Sequence, residues 1–257
     1  MTCSITNAHE FWIQPDHFAL NTNNLVVVRL MHGERFKGDT VDRNDPQIKR
    51  FEFVSEGDQT TPIRGRHQNP NGFLRPQHSG VIVYQSNHYT NNLEHEKFNS
   101  YLIEEGLEHI INERAHLGES EIIGREAYSR CAKSIIRIND DNHSADKIDR
   151  RVGLPLEILI ESITPLSSDS ESMRTTIIAS VSFMDDPIEG LRVVVANTIN
   201  PEVLIELHTD ANGKIAFEAE PAGDWMITTI HIQRAINLEA SDWESFWAST
   251  TFTNEIQ

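Results

Sequence analysis

The residue of this chain best suited to hold a metal ion is His9, in the stretch Asn-Ala-His-Glu-Phe-Trp-Ile-Gln-Pro of residues 7–15. Residues 6–8, Thr-Asn-Ala, have a small residue at each end, as the tail of a leader cleavage site has. We therefore predict that residues 1–8 are a residual leader and that the mature chain begins at His9. His9 would then carry an imidazole and a free α-amino group, two nitrogen ligands that favour a transition metal.

Two further histidines are the predicted partners of His9 in a metal site. His32 lies at the end of a predicted strand, and His231 lies within another. One or two imidazoles added to the His9 chelate would complete a site for copper or nickel. The alternative for each histidine is a hydrogen-bonded role within the fold.

A separate set of residues has metal-binding spacing on a predicted helix. His109, Glu113 and His116 lie at i, i+4 and i+7, so they share one face of that helix. The alternative is a solvated helix face, because exposed helices carry His and Glu freely.

The composition argues against several classes of partner. The 257 residues carry a formal net charge of −17, whereas nucleic acids and anionic membranes bind clustered Lys and Arg. No stretch approaches the roughly 18 consecutive apolar residues of a membrane-spanning helix. The two cysteines, Cys3 and Cys131, provide no disulfide framework. Cys131 lies on a predicted strand, where a lone thiol is expected to be a small core residue.

Catalytic signatures are missing from the sequence. It contains no Gly-x-Ser-x-Gly elbow, no phosphate-binding Gly-rich loop ending in Lys-Ser/Thr, and no His-Glu-x-x-His motif. We therefore predict a protein without a catalytic step.

Short strands separated by Gly and Pro turns dominate the chain, which is the pattern of a mainly β protein built from sandwiches. We predict an N-terminal β domain over residues 9–138 and a C-terminal β-sandwich domain over 151–257. Residues 139–150 are polar and lack periodicity, so we predict a linker there. The strongest hairpin-turn signal is Asn212-Gly213.

The exception to the β pattern is a helical insert over residues 92–117. Asn91 or Asn92 is expected to cap a first helix that Gly106 ends. A second helix is expected from residue 107 to about 116. The buried stripe of the first helix is Phe98, Tyr101 and Leu102, with Glu105 at the same spacing. The acidic residues of the insert, Glu105 among them, are expected to form a solvated face.

Two tryptophans near the C-terminus, Trp243 and Trp247, offer a candidate aromatic platform for a sugar. The alternative is that they cover the end of the second domain.

Several stretches together resemble a bacterial periplasmic family of NikM-like cobalt/nickel uptake components, a domain family of largely unknown function. The stretches lie at residues 8–15, 96–107, 124–133, 153–157 and 242–248. His9 matches the first mature residue of that family, and His231 falls in its segment Ile-His-Ile-Gln-Arg-Ala. The resemblance does not extend to the helix residues His109, Glu113 and His116.

The resemblance implies export to the periplasm and immunoglobulin-like or transthyretin-like domains. It also implies handling of a divalent transition metal ion, with nickel, cobalt or copper as the ion and a membrane transporter component as a partner. The predicted ligands are His9 and His231, which the resemblance includes, and His32, which is chosen from its place at a strand end. The expected function is therefore metal uptake or buffering. The main alternative is an envelope interaction module that binds a carbohydrate or a protein and has no metal role. A third is a copper-dependent oxidase that uses the His9 chelate.

Overall fold

A computed structural model describes residues 10–139, 145–166, 174–236 and 240–254. The predicted leader 1–8, His9 and Cys3 lie outside the described residues. Within them the chain is mainly β with few helices, so the predicted fold class is confirmed. No helix in this described part is long and apolar enough to cross a membrane.

The strands of the first half are β1 (Glu10–Pro15), β2 (Ala19–Leu20), β3 (Val26–Glu34), β4 (Lys37–Thr40), β5 (Ile48–Ser55), β6 (Thr60–Pro62), β7 (Gly72–Leu74), β8 (Gly80–Ser86), β9 (Tyr89–Leu93) and β10 (Gly124–Ile138). Those of the second half are β11 (Leu156–Pro165), β12 (Thr175–Phe183), β13 (Asp186–Pro187), β14 (Arg192–Asn197), β15 (Ile205–His208), β16 (Lys214–Ala219), β17 (Asp224–Arg234) and β18 (Trp243–Thr253). The helices are α1 (His95–Glu104), α2 (Glu108–His116) and α3 (Ala145–Ile148), with short 3-10 turns at Asp45–Gln47 and Glu56–Asp58.

A ten-stranded central sheet contains strands from both halves of the chain. Its main order is β15-β14-β17-β18-β10-β8-β5-β6, and β2 and β9 also pair with β10. The two halves meet where β10 runs parallel to β18, with Cys131 opposite Ala248. The two predicted domains therefore share one sheet, and their independence as folding units stays a prediction.

Two smaller sheets pack against the central sheet. The N-terminal sheet has the order β1-β3-β4, with β7 also paired to β3, and the C-terminal sheet has the order β11-β12-β13, with β16 also paired to β12. Ile82 and Ile136 of the central sheet share a core with Ile13 of the N-terminal sheet. Their strand neighbours point to the opposite face, as alternation requires, and Val83 and Ile135 pack there with the C-terminal sheet. Cys131 is buried in this second core, as predicted.

Residues 145–150, which composition predicts to be part of a linker, pack into the core instead. Ala145 and Ile148 of α3 are buried with the C-terminal sheet, and Asp149 is also buried. The prediction failed because a polar residue such as Asp149 is normally expected in solvent. Here its carboxylate is buried beside a cationic partner, Lys133. Only residues 140–144 of the predicted linker lie outside the described chain.

The predicted helical insert is present, but its first helix starts later than the predicted caps Asn91 and Asn92 indicate. Asn91 and Asn92 belong to strand β9, and α1 begins after Glu94. Gly106 adopts a positive φ of 72° and its amide donates to the carbonyl of Ile103, so it ends the helix as predicted. The predicted stripe of Phe98, Tyr101 and Leu102 is buried. The insert packs on Ile230 and Trp243 of the central sheet.

Candidate functional site

A cleft of about 380 Å³ opens where the first strand, the helical insert and the central sheet meet. Its charged lining residues are Glu10, Glu34, Arg35, Glu104, Glu105 and Arg192, and its aromatic lining residues include Trp247. We call it the Glu10 cleft. Among these lining residues four carboxylates face two guanidinium groups, so the cleft carries an excess of two negative charges when all are ionised.

Glu10 lies at the start of β1, and backbone amides of the β3–β4 hairpin donate hydrogen bonds to its carboxylate. The two residues of that turn, Arg35 and Phe36, have positive φ values of 53° and 62°, the conformation of a tight two-residue hairpin. The turn aims backbone amides at the cleft, and Phe36 N donates a long hydrogen bond of 3.5 Å to Glu10 Oε2. Burial raises the pKa of the Glu10 carboxyl and repulsion from Glu34 adds to the rise, while the backbone hydrogen bonds of Phe36 and Arg35 lower it.

Glu105 follows the last residue of α1 and faces the same cleft. Burial raises the pKa of its carboxyl to about 7, and repulsion from Glu10, Glu104 and Glu34 contributes to the rise. Arg192 opposes this shift, with its Nη1 atom 3.8 Å from Glu105 Oε2. Arg192 is shared, however, since its Nη2 atom lies 3.2 Å from Glu206 Oε1. The positive charge beside Glu105 is therefore only partly available to it.

Trp247 gives the cleft an aromatic wall that a buried network holds in place. Its ring stacks on Tyr101 with centroids 5.9 Å apart, and its Nε1 donates to Ser245 Oγ at 3.2 Å. Ser245 Oγ and Tyr101 OH donate to Glu126 Oε1 at 2.5 and 3.1 Å. Burial raises the pKa of the Glu126 carboxyl. Trp243, by contrast, is fully buried, so it forms no exposed platform with Trp247 and instead packs against the helical insert.

The structure does not place the predicted ligands His32 and His231 together, and His9 lies outside the described residues. His231 follows Ile230, which lines the cleft, so its side chain points to the other face of the central sheet. There its ring packs on Phe183 of the C-terminal sheet at 4.4 Å between centroids. His32 is on the N-terminal sheet opposite Phe11, across the central sheet from Phe183.

The imidazole of His231 is nonetheless in the neutral form that a metal ligand needs. Burial lowers its pKa to about 4, with His109 contributing by repulsion, so the imidazole is neutral at neutral pH. His109 and His116 are both exposed on α2. Within the described ranges, no three His, Cys, Asp or Glu side chains are grouped so that they could hold a metal ion.

Sequence patterns did not predict the Glu10 cleft because its residues come from several widely separated parts of the chain. One signal was present: Glu105 lies at helical spacing with the buried Tyr101 and Leu102. The expectation that Glu105 belongs to a solvated acidic face is wrong, because that spacing turns it toward the sheet. Glu34 and Glu104 are exposed at the mouth of the cleft.

A known protein family matches most of the chain. The model of the domain of unknown function DUF4198 matches residues 6–233, most of the sequence. The chain belongs to this family. The match includes every charged lining residue of the Glu10 cleft, and Trp247 lies beyond it. The description of the family names no function, so cobalt or nickel uptake stays a prediction of the resemblance.

The other comparisons add little to this DUF4198 chain. A search of curated proteins finds no match. Among solved structures, the chain is similar to the D0-D1 domain of Intimin at 12% identity and a TM-score of 0.23, covering 95% of this chain and 97% of that one. It is also similar to a tetra-tandem repeat in the extending region of a large adhesion protein, at 8% identity and a TM-score of 0.20, covering 96% of this chain and 50% of that one. TM-scores this low carry no argument about function.

Proposed function

We propose that this protein is a non-catalytic protein of the bacterial periplasm that binds a divalent transition metal ion in the Glu10 cleft and supports its uptake or buffering. The ion is nickel, cobalt or copper, and a membrane transporter component is the partner that receives it. The observation that carries the proposal is the pair of partly buried carboxyls, Glu10 and Glu105, each with a raised pKa in one acidic cleft.

The electrostatics of the cleft favour a cation. Burial and mutual repulsion make the ionised forms of Glu10 and Glu105 unfavourable, and a divalent ion between them would relieve both costs. Arg192 supplies only part of the compensation because it also pairs with Glu206. The net charge of −17 draws cations to the whole surface, and the cleft would hold a cation against the partly buried carboxylates of Glu10 and Glu105.

Nitrogen ligands would make the cleft selective for a transition metal. Carboxylates alone suit magnesium or calcium, whereas imidazole and amine nitrogens suit nickel, cobalt and copper. His9 precedes Glu10 in the chain, so a mature chain that begins at His9 brings an imidazole and an amine next to a cleft carboxylate. His231 is not part of the proposed site because it faces the opposite side of the central sheet. His32 stays a candidate ligand, since it lies on β3 two residues before Glu34, which lines the cleft.

The test is a titration of nickel and copper into protein that begins at His9 and into protein that begins at Met1. Tight binding is expected only when His9 is the first residue, and His9→Ala in that protein should abolish it. His231→Ala should leave the affinity unchanged. Equal affinity in the two proteins would show that the amine of His9 is not a ligand and would overturn the proposal.

A second candidate function rests on Trp247. An aromatic ring beside carboxylates and a guanidinium group in a cleft is a common arrangement for binding a carbohydrate. The envelope interaction module that this implies would lose sugar binding on Trp247→Leu and would keep it on His9→Ala. A glycan-array screen of the wild-type protein and the two variants separates the candidates, because the metal proposal predicts no glycan binding.

A further inference from the structure

Three charged side chains meet inside the core between the central and C-terminal sheets. Lys133 of β10 places its Nζ atom 2.6 Å from Asp149 Oδ1 and 3.4 Å from Glu157 Oε1. The side chains of Lys133, Asp149 and Glu157 are only 1%, 0% and 1% exposed. An ammonium group and two carboxylates are thus enclosed together away from water, where charges are costly to maintain.

The surrounding backbone holds each group in a fixed position. Asp149 Oδ2 accepts a hydrogen bond of 2.8 Å from Ile160 N, and its Oδ1 accepts one of 2.8 Å from Arg150 N. Lys133 Nζ also donates to Arg150 O at 3.2 Å. The Glu157 carboxylate accepts from the backbone amides of residues 152, 153 and 154 at 2.7, 3.0 and 3.2 Å.

We propose that Lys133 and Asp149 form an intramolecular amide, an isopeptide bond between Nζ and Cγ, with Glu157 as the proton carrier. The contact of 2.6 Å puts Nζ within reach of Cγ, which is bonded to the contacted oxygen. Reacting groups held in this way need no encounter step, and such positioning removes much of the barrier to a condensation.

The step balances without a co-reactant. One proton moves from the Lys133 ammonium to Asp149 Oδ1, which gives a neutral amine and a neutral carboxylic acid. The amine lone pair attacks Cγ, and the C–N bond forms. Glu157 takes the second proton from the nitrogen and delivers it to Oδ1, the C–Oδ1 bond breaks, and one water leaves. Glu157 ends as it began.

The local environment favours each stage of this sequence. Burial raises the pKa of the Asp149 carboxyl, which favours its neutral acid form. The amide of Ile160 points at Oδ2, where negative charge develops as the nitrogen attacks. The triad is 0–1% exposed beside the apolar core that includes Ile135 and Ile158, and this burial limits the access of bulk water to the product.

The bond would join β10 to the segment after α3 covalently. That segment begins at Asp149 and leads into β11 of the C-terminal sheet, so the cross-link would fasten the central sheet to the sheet packed on it. This inference is independent of the Glu10 cleft, because the triad lies on the opposite face of the central sheet.

The experiment is an intact-mass measurement of the denatured full-length protein. We expect a mass about 18 Da below the value calculated from the sequence, the loss of one water. Lys133→Arg and Glu157→Gln should each show their full calculated mass. Lys147→Arg, which changes an exposed lysine paired with Asp146, should keep the deficit.

Peptide mapping then locates the bond, because tryptic digestion of the wild-type protein should give a branched peptide that contains Lys133 and Asp149. A wild-type mass equal to the calculated value would overturn the proposal, as would a deficit that persists in Lys133→Arg. The wild-type measurement is decisive even if a variant folds poorly, since the mass is read on denatured chains.

Discussion

Arg192 Nη1 and Glu105 Oε2 lie 3.8 Å apart, yet the Glu105 carboxyl has a pKa of about 7. An arginine at this distance ordinarily favours the ionised carboxylate. The shift shows that burial and the surrounding acids outweigh one shared guanidinium group. Glu105 is therefore a group whose charge near neutral pH depends on the pH and on any cation nearby.

The contribution of Glu105 to stability should fall as the pH rises from about 4.5 to about 7. Because the folded-state pKa of Glu105 is raised from its usual 4.5 to about 7, the folded state holds more protons in this window. Its contribution to stability is then complete at low pH and is lost as the pH increases. The loss is at most about 3 kcal/mol, and the raised pKa of Glu10 acts in the same direction.

Denaturant unfolding at pH 5.0 and pH 7.5 measures this effect, with Glu105→Gln as the comparison. Glutamine keeps the shape of the side chain and removes its titration, so the variant should show a smaller fall and exceed the wild type in stability at pH 7.5. An identical pH dependence in the two proteins would contradict the assigned environment of Glu105.

Gly106→Ala should destabilise the protein more than Gly118→Ala. Both glycines have φ near +72°, so each alanine meets the same backbone cost of about 1 kcal/mol. A Cβ at position 106 would also lie 2.6 Å from Arg192 Cδ, whereas position 118 has open space. The contact should cost about 1 kcal/mol more, measured as the difference in the free energy of unfolding. Equal losses would mean that Arg192 moves away freely.

Trp243→Ala should cost about 3 to 5 kcal/mol of stability because it empties a fully buried site. The same change also removes the contact of Arg234, whose guanidinium lies 4.7 Å from the centroid of the Trp243 ring. Trp247→Ala should cost less, since that ring is partly exposed at the cleft. Thermal melts of the two variants provide the comparison, and a reversed order would contradict the assignment of Trp243 to the core.

Patterns over a few neighbouring residues predicted the elements that neighbouring residues determine, namely helices and turns. The stripe of Phe98, Tyr101 and Leu102 and the glycine at 106 fix the first helix of the insert. Asn212-Gly213 does form a turn, with the amide of Gly213 donating to the carbonyl of Asp210. The flanking strands do not make a hairpin, however, because β15 pairs with β14 and β16 pairs with β12.

The long-range features could not be predicted in the same way. The parallel pairing of β10 with β18 joins residues more than a hundred positions apart, and no periodicity encodes such a partner. The turn at Arg35-Phe36 lacks the Asn or Gly that signals positive φ. Asp149 looks like a solvated linker residue until its partner Lys133 is known. The Glu10 cleft depends on the long-range pairings and on the turn at Arg35-Phe36, so the sequence singled out His9, the residue before Glu10, as a candidate ligand but did not predict the cleft.

The most direct test of metal binding in the Glu10 cleft is calorimetric titration of nickel into protein beginning at His9, at pH 7.5, with Glu10→Gln, Glu105→Gln and Glu218→Gln compared. Glu218 of β16 pairs with Arg174 at 3.6 Å and does not line the cleft, so its variant removes the same charge without removing a cleft carboxylate or freeing Arg192. We expect Glu10→Gln and Glu105→Gln each to weaken binding at least about tenfold, a change of about 1.4 kcal/mol, and Glu218→Gln to leave it unchanged within about twofold. Equal affinities in all four proteins would contradict a metal site in the cleft.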